Sequence, residues 1–344
     1  MIFASLKQTF HQTFHIPMRI LTRTIFICFV CYMTGATYLS AQQQPLYSQF
    51  TFNRFLFNPA VAGSDQTTVI QLAGYEQWAG FSGAPRFHTA SFDTRIFEQS
   101  RKPRRNIRKK FKLFKPGTVG AGIQVFNERY GPLGNTGVTA AYTYHMKMES
   151  RQLSLGVAPV LSNLGLKSSD IILSDDEFDQ VVEGDRTRRW ILDFNFGAYL
   201  TDRQYFAGYS VHHLSKSAIQ WGGTADTDYD IGRQHYFMGG YRYEVTSDIM
   251  LEPAMLIKIS EIQKNQMDLS IKCTIKKDYW CGLSYKTSKT MSVFGGLQFE
   301  RYYFCYAFDY NLSPIRKTSY GSHEILLAVQ LGDISKRYRW LNTY

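Results

Sequence analysis

The 344-residue sequence predicts an all-β protein, a transmembrane antiparallel β-barrel of about fourteen strands that follows a cleaved signal peptide. Three observations predict it. From Thr67 onward apolar residues recur with a period of two, the pattern of strands with one apolar face. The segments that show it run mostly for nine to thirteen residues. That exceeds the roughly five or six residues of a soluble sandwich strand and suits the roughly nine to eleven that cross a bilayer. Their connections alternate between short and long, as in outer-membrane barrels with short periplasmic turns and longer external loops.

The N-terminus reads as an address. Residues 1–41 contain Lys7, Arg19 and Arg23 and no acid, then the apolar run Ile25–Met33, then small and polar residues ending in Ser40-Ala41. This is the layout of a secretory signal peptide, with cleavage expected after Ala41 and residues 1–17 as an upstream extension. Neither Cys28 nor Cys31 has the small-residue setting of a lipoprotein signal. The exported chain keeps Cys273, Cys281 and Cys305, an odd number, so no disulfide framework is expected.

Residues 42–66 form an aromatic lead-in segment on the periplasmic side, with Tyr47, Phe50, Phe52, Phe55 and Phe57. Asn58-Pro59 marks a turn, because proline fixes its own φ and drives its predecessor out of the helical region. Gly63 permits a positive φ. Two readings stand open for this segment: a plug or rim packed inside the barrel, or a docking surface for another component. Trp78 and Phe81 are open in the same way between an aromatic belt and a surface contact.

The barrel is expected over residues 67–332. Its strands are predicted near 67–78, 86–97, 117–127, 135–147, 151–163, 190–200, 203–212, 234–245, 248–260, 264–275, 278–286, 290–299, 302–310 and 321–332. With the N-terminus in the periplasm, 148–150, 201–202, 246–247, 276–277 and 300–301 become periplasmic turns. The long connections 164–189, 213–233 and 311–320 then fall outside. On the strand 264–275, Leu269 and Ile271 should face lipid, and Ser270 and Lys272 the lumen. Residues 333–344 form a C-terminal tail.

One connection breaks the rule. Residues 98–116 should be a short periplasmic turn, yet the segment is long and carries Arg101, Lys102, Arg104, Arg105, Arg108, Lys109, Lys110, Lys112 and Lys115. Together with the basic N-terminus it accounts for the formal charge of +11, leaving the remaining chain close to neutral. A nucleic-acid partner is therefore not expected, since such proteins spread basic residues over a binding face. The basic insertion is instead a candidate contact for a partner or for lipid at the periplasmic face.

Catalytic and metal-binding patterns are incomplete, and neither an enzyme nor a cofactor is expected. His323-Glu324 opens like a metalloprotease motif, but Leu327 stands where the second His belongs. Gly120-Ala121-Gly122 lies in a strand, where glycine relieves crowding in the barrel wall. Asp226, Asp228 and Asp230 have calcium-loop spacing but are followed by Ile231 and lack the closing Glu. Both that triplet and Asp175, Asp176, Glu177 and Asp179 read as solvated acidic loops. His212 and His213 are adjacent on a strand and should point to opposite faces.

Several ordered motifs carry a family resemblance. They are Pro45-Leu46-Tyr47-Ser48-Gln49-Phe50, Phe57-Asn58-Pro59-Ala60-Val61-Ala62-Gly63-Ser64 and Gln77-Trp78-Ala79-Gly80-Phe81-Ser82-Gly83-Ala84-Pro85. Further on come Asp193-Phe194-Asn195-Phe196-Gly197, Tyr205-Phe206-Ala207-Gly208-Tyr209-Ser210-Val211, Tyr306-Ala307-Phe308-Asp309-Tyr310 and Gly321-Ser322-His323-Glu324-Ile325. The chain thereby resembles the PorP/SprF family of type IX secretion membrane proteins from Bacteroidetes. The resemblance implies an integral outer-membrane barrel of the type IX secretion and gliding motility apparatus. It further implies periplasmic and outer-membrane secretion components as partners, outer-membrane lipids around it, and secreted cargo such as adhesins bearing a C-terminal sorting domain. The alternative is an outer-membrane channel or hydrophobic-solute uptake barrel. The motif positions it singles out are Tyr47, Phe50, Asn58, Pro59, Ala60, Gly63, Trp78, Phe81, Gly83, Pro85, Gly321, His323 and Glu324.

Overall fold

The computed structural model describes residues 50–65, 67–97, 118–148, 150–166, 188–215, 218–220, 228–230 and 232–332. Two single 3₁₀ turns come first, Arg54–Leu56 and Pro59–Val61. The first strands are β1 (Thr68–Glu76), β2 (Arg86–Phe97), β3 (Thr118–Tyr130), β4 (Leu133–Met148) and β5 (Arg151–Leu166). They continue as β6 (Arg188–Thr201), β7 (Tyr205–His212), β8 (Ala218–Gln220), β9 (Asp228–Asp230) and β10 (Gln234–Tyr241). Next are β11 (Tyr243–Glu244), β12 (Ile249–Ser260), β13 (Gln266–Ile275) and β14 (Tyr279–Lys286). The last are β15 (Thr290–Phe299), β16 (Tyr302–Asn311) and β17 (Ser322–Leu331).

Fourteen of these close into one antiparallel barrel. Each pairs with its chain neighbours, β10 pairs with β12, and β1 meets β17 in the register Leu72↔Leu327. Closure removes both sheet edges, which is what lets a sheet cross lipid. β8 and β9 form a two-stranded ribbon between β7 and β10, and β11 is a short continuation against β12.

The alternation seen in the sequence becomes inside and outside. On β13, Leu269 and Ile271 are 44% and 47% exposed, while Ser270 and Lys272 are buried toward the lumen. Ile70, Leu72, Phe92, Ile123, Val125 and Leu283 continue the outward apolar belt around the wall. The turns 202–204, 276–278 and 300–301 lie at one end, while the other end carries the longer connections 77–85 and 312–321 beside the short turns 131–132 and 287–289; by the rule that longer loops are external, the first end is expected to face the periplasm. The first and last barrel strands, β1 and β17, also begin and end there.

β3 to β6 are longer at their outer ends than the sequence pattern predicts. The expected loop 128–134 is a tight turn, with Tyr130 paired to Leu133 and Gly131 at φ +57°. The physical reason lies in the outward residues there, Asn127, Arg129 and Thr136. Beyond the bilayer no apolar face is required, so the hydrophobic alternation stops although backbone pairing continues.

Candidate functional site

The lumen is occupied by the chain itself. Residues 50–64 lie against the inner wall, with Phe50, Ala60 and Ala62 fully buried and Phe55 and Phe57 nearly so. Phe50, Phe57 and Ala60 join Tyr75, Phe87, Tyr199, Phe206, Tyr236, Met238 and Leu256 in one apolar cluster. Of the two sequence readings for this segment, the described part takes the plug position. Wall glycines make the room: a Cβ on Gly156 would strike the backbone of Pro59 and Ala60, and one on Gly197 the side chain of Asn58. Gly120 and Gly122 likewise face Ala62 and Phe55, so these glycines admit the plug rather than easing crowding within the wall.

A buried segment with so little regular structure leaves backbone groups to be paired by side chains. The wall supplies them. Asn58 Oδ1 accepts the Ala60 N–H at 2.9 Å, capping the second 3₁₀ turn, and its Nδ2 donates to the carbonyls of Ala198 and Tyr209 at 3.0 and 3.3 Å. Thr143 Oγ1 donates to the Pro59 carbonyl at 2.8 Å. Ser210 Oγ and His212 Nε2 both serve the Phe57 carbonyl. The Gly63 N–H donates to Asp93 Oδ2 at 2.9 Å, and Arg95 donates to the carbonyls of Gly63 and Ser64. Gly63 itself turns the chain at φ +69°.

Charge fastens the plug as well. Arg54 lies 3.0 Å from Glu252, which also holds Arg242 at 3.1 Å and Lys272 at 3.1 Å. The Arg54 guanidinium sits 3.8 Å from the Phe206 ring centroid, and Lys272 Nζ 4.6 Å from that of Phe52. Burial by itself would lower the Arg54 guanidinium, but Tyr199, Glu252 and Asp65 hold it above its ordinary value. A second buried group joins Lys286 to Asp309 at 3.0 Å, with the Tyr75 hydroxyl donating to the same carboxylate at 2.9 Å.

Toward the outer mouth the plug floors a cavity of about 120 Å³. Leu56 and Phe57 form its floor, and Glu128, Lys258, His212 and His213 are among its walls. The two histidines were expected on opposite faces, and the structure corrects this. His213 adopts φ +59°, leaves the strand, and turns back to place Nδ1 2.9 Å from Asp193 Oδ2. Among the described residues no group of three or more His, Cys, Asp or Glu side chains is arranged to hold a metal ion.

Among the described residues a serine–histidine pair is seen, His145 Nδ1 to Ser154 Oγ at 2.7 Å. Both residues are fully buried beneath the plug, and Nε2 is engaged by the Ala62 carbonyl at 3.0 Å. The pair anchors the plug through the Ala62 carbonyl.

The other motif positions lie at the outer rim. Trp78, Phe81, Gly83 and Pro85 belong to the β1–β2 connection, which is clamped to its neighbours. Ala79 N–H bonds the Gly321 carbonyl at 2.8 Å, Tyr320 N–H the Ala79 carbonyl at 2.9 Å, and Gly131 N–H the Gly83 carbonyl at 3.1 Å. Trp78 has φ +52°, Gly83 φ +74° and Gly321 φ +91°. Phe81 is exposed, His323 points outward to the Tyr306 hydroxyl at 2.7 Å, and Glu324 is buried inward. His323-Glu324 opens β17, as expected. Tyr47, the nine basic residues from Arg101 to Lys115, the acidic group 175–179 and the signal and tail segments lie outside the described residues.

Sequence reasoning missed the convergence on Glu252. Glu252 and Lys272 were visible as polar positions on alternating strands. Arg54 and Arg242 reach the same point from the plug and from a strand end, and spacing does not encode that.

The family model described as type IX secretion system membrane protein PorP/SprF matches residues 39–329. No curated protein matches the sequence. Among solved structures, the Pseudomonas putida toluene transporter TodX is similar at 10% identity and a TM-score of 0.42, covering 81% of this chain and 92% of that one. A triple mutant of the Rhodopseudomonas blastica porin is similar at 7% identity and a TM-score of 0.31, covering 77% of this chain and 99% of that one.

Proposed function

The chain belongs to the PorP/SprF family of type IX secretion system membrane proteins, and on that premise we propose that this integral outer-membrane barrel assists secretion or surface attachment of specific cargo, such as adhesins, rather than passing solutes. One observation carries the reading. The lumen is filled by residues 50–64, bonded to β2, β4, β6 and β7 and ion-paired to β12. The cavity that the plug lines, about 120 Å³, is small beside the roughly 300–1,000 Å³ of small-molecule sites.

A plugged barrel offers two faces instead of a path. The outer face, with its clamped loops, would hold cargo through its C-terminal sorting domain. The periplasmic face would meet the other secretion and gliding components, with the basic residues between β2 and β3 as a contact for an acidic partner or for lipid head groups. No catalytic step is part of this proposal.

The test removes the chain and compares the proteins displayed on the cell surface, alongside planar-bilayer recordings of the purified barrel. Loss of particular surface proteins and absence of steady conductance are expected. Steady conductance with an unchanged surface would overturn the reading in favour of a channel.

A further inference from the structure

Of the three cysteines among the described residues, two stand directly opposite each other. Cys273 on β13 pairs with Cys281 on β14, and both belong to the outward-facing set that includes Leu269, Ile271 and Leu283. Cys281 is exposed and Cys273 half-buried, each as a free thiol. Cys305 lies apart from them, fully buried on the lumen side with Trp280 and Leu326.

The register brings the two thiols within bonding reach. The Thr287 N–H donates to the Met267 carbonyl at 2.9 Å, and hydrogen-bonded pairs recur at every second position from there, so Cys273 and Cys281 form such a pair. Opposite residues of this kind have Cα atoms about 5.5 Å apart, which matches the usual disulfide separation of about 5.5–6 Å. Their Cβ atoms, about 4.5–5.5 Å apart, have to close by about 1 Å to reach the disulfide range. The bond can therefore form with little movement of the strands, and the remaining misfit makes it easier to reduce than a relaxed one.

The turn between the two strands gives such a bond something to do. Lys276 lies at φ +51° and Lys277 at φ +65°, the left-handed region that hairpin turns usually fill with Asn or Gly. Two adjacent lysines also repel each other. The turn thus costs the hairpin stability, and the cysteine pair sits two residues along each strand from the last pair before it, Ile275 and Tyr279.

We propose that Cys273 and Cys281 are joined in the cell by a reversible disulfide that staples the β13–β14 hairpin. An outer-membrane protein passes through the periplasm, a compartment in which disulfides form and persist. The oxidant is of the class found there, a protein that carries a reactive disulfide. One cysteine thiolate attacks that disulfide, the second attacks the resulting mixed disulfide, and the oxidant leaves as a dithiol. The two electrons and two protons given up by the cysteines end on its thiols. The inference rests on the outer-membrane location and the strand register, and not on the cargo role.

The sequence makes the test direct, because trypsin cleaves after Lys272, Lys276, Lys277 and Lys286 and so puts the two cysteines on separate peptides, 273–276 and 278–286. Cells are treated with N-ethylmaleimide before lysis, and the full-length barrel is purified, denatured in the same reagent without reductant, digested and read by mass spectrometry. The two peptides should be recovered joined to each other and released by dithiothreitol, while Cys305 is alkylated without reduction. In Cys273→Ser, Cys281 should be alkylated without reduction as well. Dithiothreitol should also lower the temperature at which the unaltered barrel loses its folded mobility on unheated gels, and leave Cys273→Ser unaffected. Recovery of Cys273 and Cys281 mainly as alkylated thiols, or joined to Cys305 or to a second chain, would overturn the disulfide, and an unfolding temperature indifferent to reduction would overturn its stapling role.

Discussion

Arg54 in the plug and Glu252 in β12 lie 3.0 Å apart although 198 residues separate them, and the same carboxylate holds Arg242 and Lys272. The plug is thus part of the barrel's charge balance as well as of its packing. Three cations, Lys272 buried and Arg54 and Arg242 largely so, converge on this carboxylate, so the two ends of the contact are unequal. Removing the anion takes the shared carboxylate from all three at once, whereas removing one cation leaves the anion with two partners.

That inequality gives a first expectation. Glu252→Gln should cost about 3–5 kcal/mol, the range for breaking a buried charge pair. Arg54→Met, which keeps contact with Phe206, should cost on the order of 1 kcal/mol, as for loss of a typical hydrogen bond. Thermal unfolding in detergent, followed by the shift in gel mobility, ranks the two. A larger loss for Arg54→Met would show that plug attachment outweighs charge balance.

Asn58 gives a second expectation through its three hydrogen bonds in a fully buried position. Asn58→Ala should destabilise the plug by roughly 1–3 kcal/mol, because it strands a buried N–H and removes two donors. Asn58→Asp keeps the cap to Ala60 but buries a charge and loses both donors, so it should be the worse of the two. Limited proteolysis within residues 50–64 reports plug release in each variant. Equal resistance in both would mean that packing alone holds the segment.

The strands were legible because lipid imposes a period of two on every crossing. Ile257 and Ile259, or Leu269 and Ile271, could face one way only. The rule faded where lipid ends: Asn127, Arg129 and Thr136 carry no apolar signal, and the outer parts of β3 and β4 were missed with it. His213 was misplaced for a related reason, since strand alternation assumes extended backbone and a left-handed φ of +59° reverses the side chain. Asn58-Pro59 was legible as a turn, while its target inside the barrel depends on Gly197 and Ala198, distant in sequence. The motif residues were therefore found and their shared contacts were not.

Topology is open to direct labelling. With Cys273, Cys281 and Cys305 first replaced, a cysteine at Tyr320 or Phe81 should react with an impermeant reagent on intact cells. A cysteine at Arg203 or Lys277, in the short turns, should react only after the outer membrane is permeabilised. The reverse pattern would invert the barrel and place the plug at the cell surface.

Depth in the bilayer sets a graded cost. Leu269 lies midway along β13 on the lipid side, and Tyr279 begins β14 at the periplasmic end, 57% exposed. Arginine at the membrane midplane costs roughly 2–4 kcal/mol, and near the interface about 0–1 kcal/mol. Leu269→Arg should therefore impair assembly and Tyr279→Arg should not, read as the folded fraction recovered from membranes. Comparable losses at both positions would mean that the belt sits lower on the wall than the outward residues indicate.

The basic segment between β2 and β3 supplies the last expectation. Its described flanks, Phe97 and Thr118, sit at the barrel end where β1 begins and β17 ends, so a periplasmic position is expected for the nine Lys and Arg residues from Arg101 to Lys115. Like charges so close together repel, and an acidic surface relieves that repulsion. Each basic residue near an anionic surface contributes on the order of 1 kcal/mol, less as salt screens it. Exchanging the nine for Ser and Gln should leave the barrel assembled, because none of the described barrel strands includes them, while weakening its recovery with periplasmic secretion components. Flotation with anionic vesicles separates the two acidic surfaces: lost vesicle binding with intact protein recovery identifies lipid, and the converse identifies a protein partner. If secretion, partner recovery and vesicle binding all stay unchanged, the segment is a solvated insertion and the proposed contact is wrong.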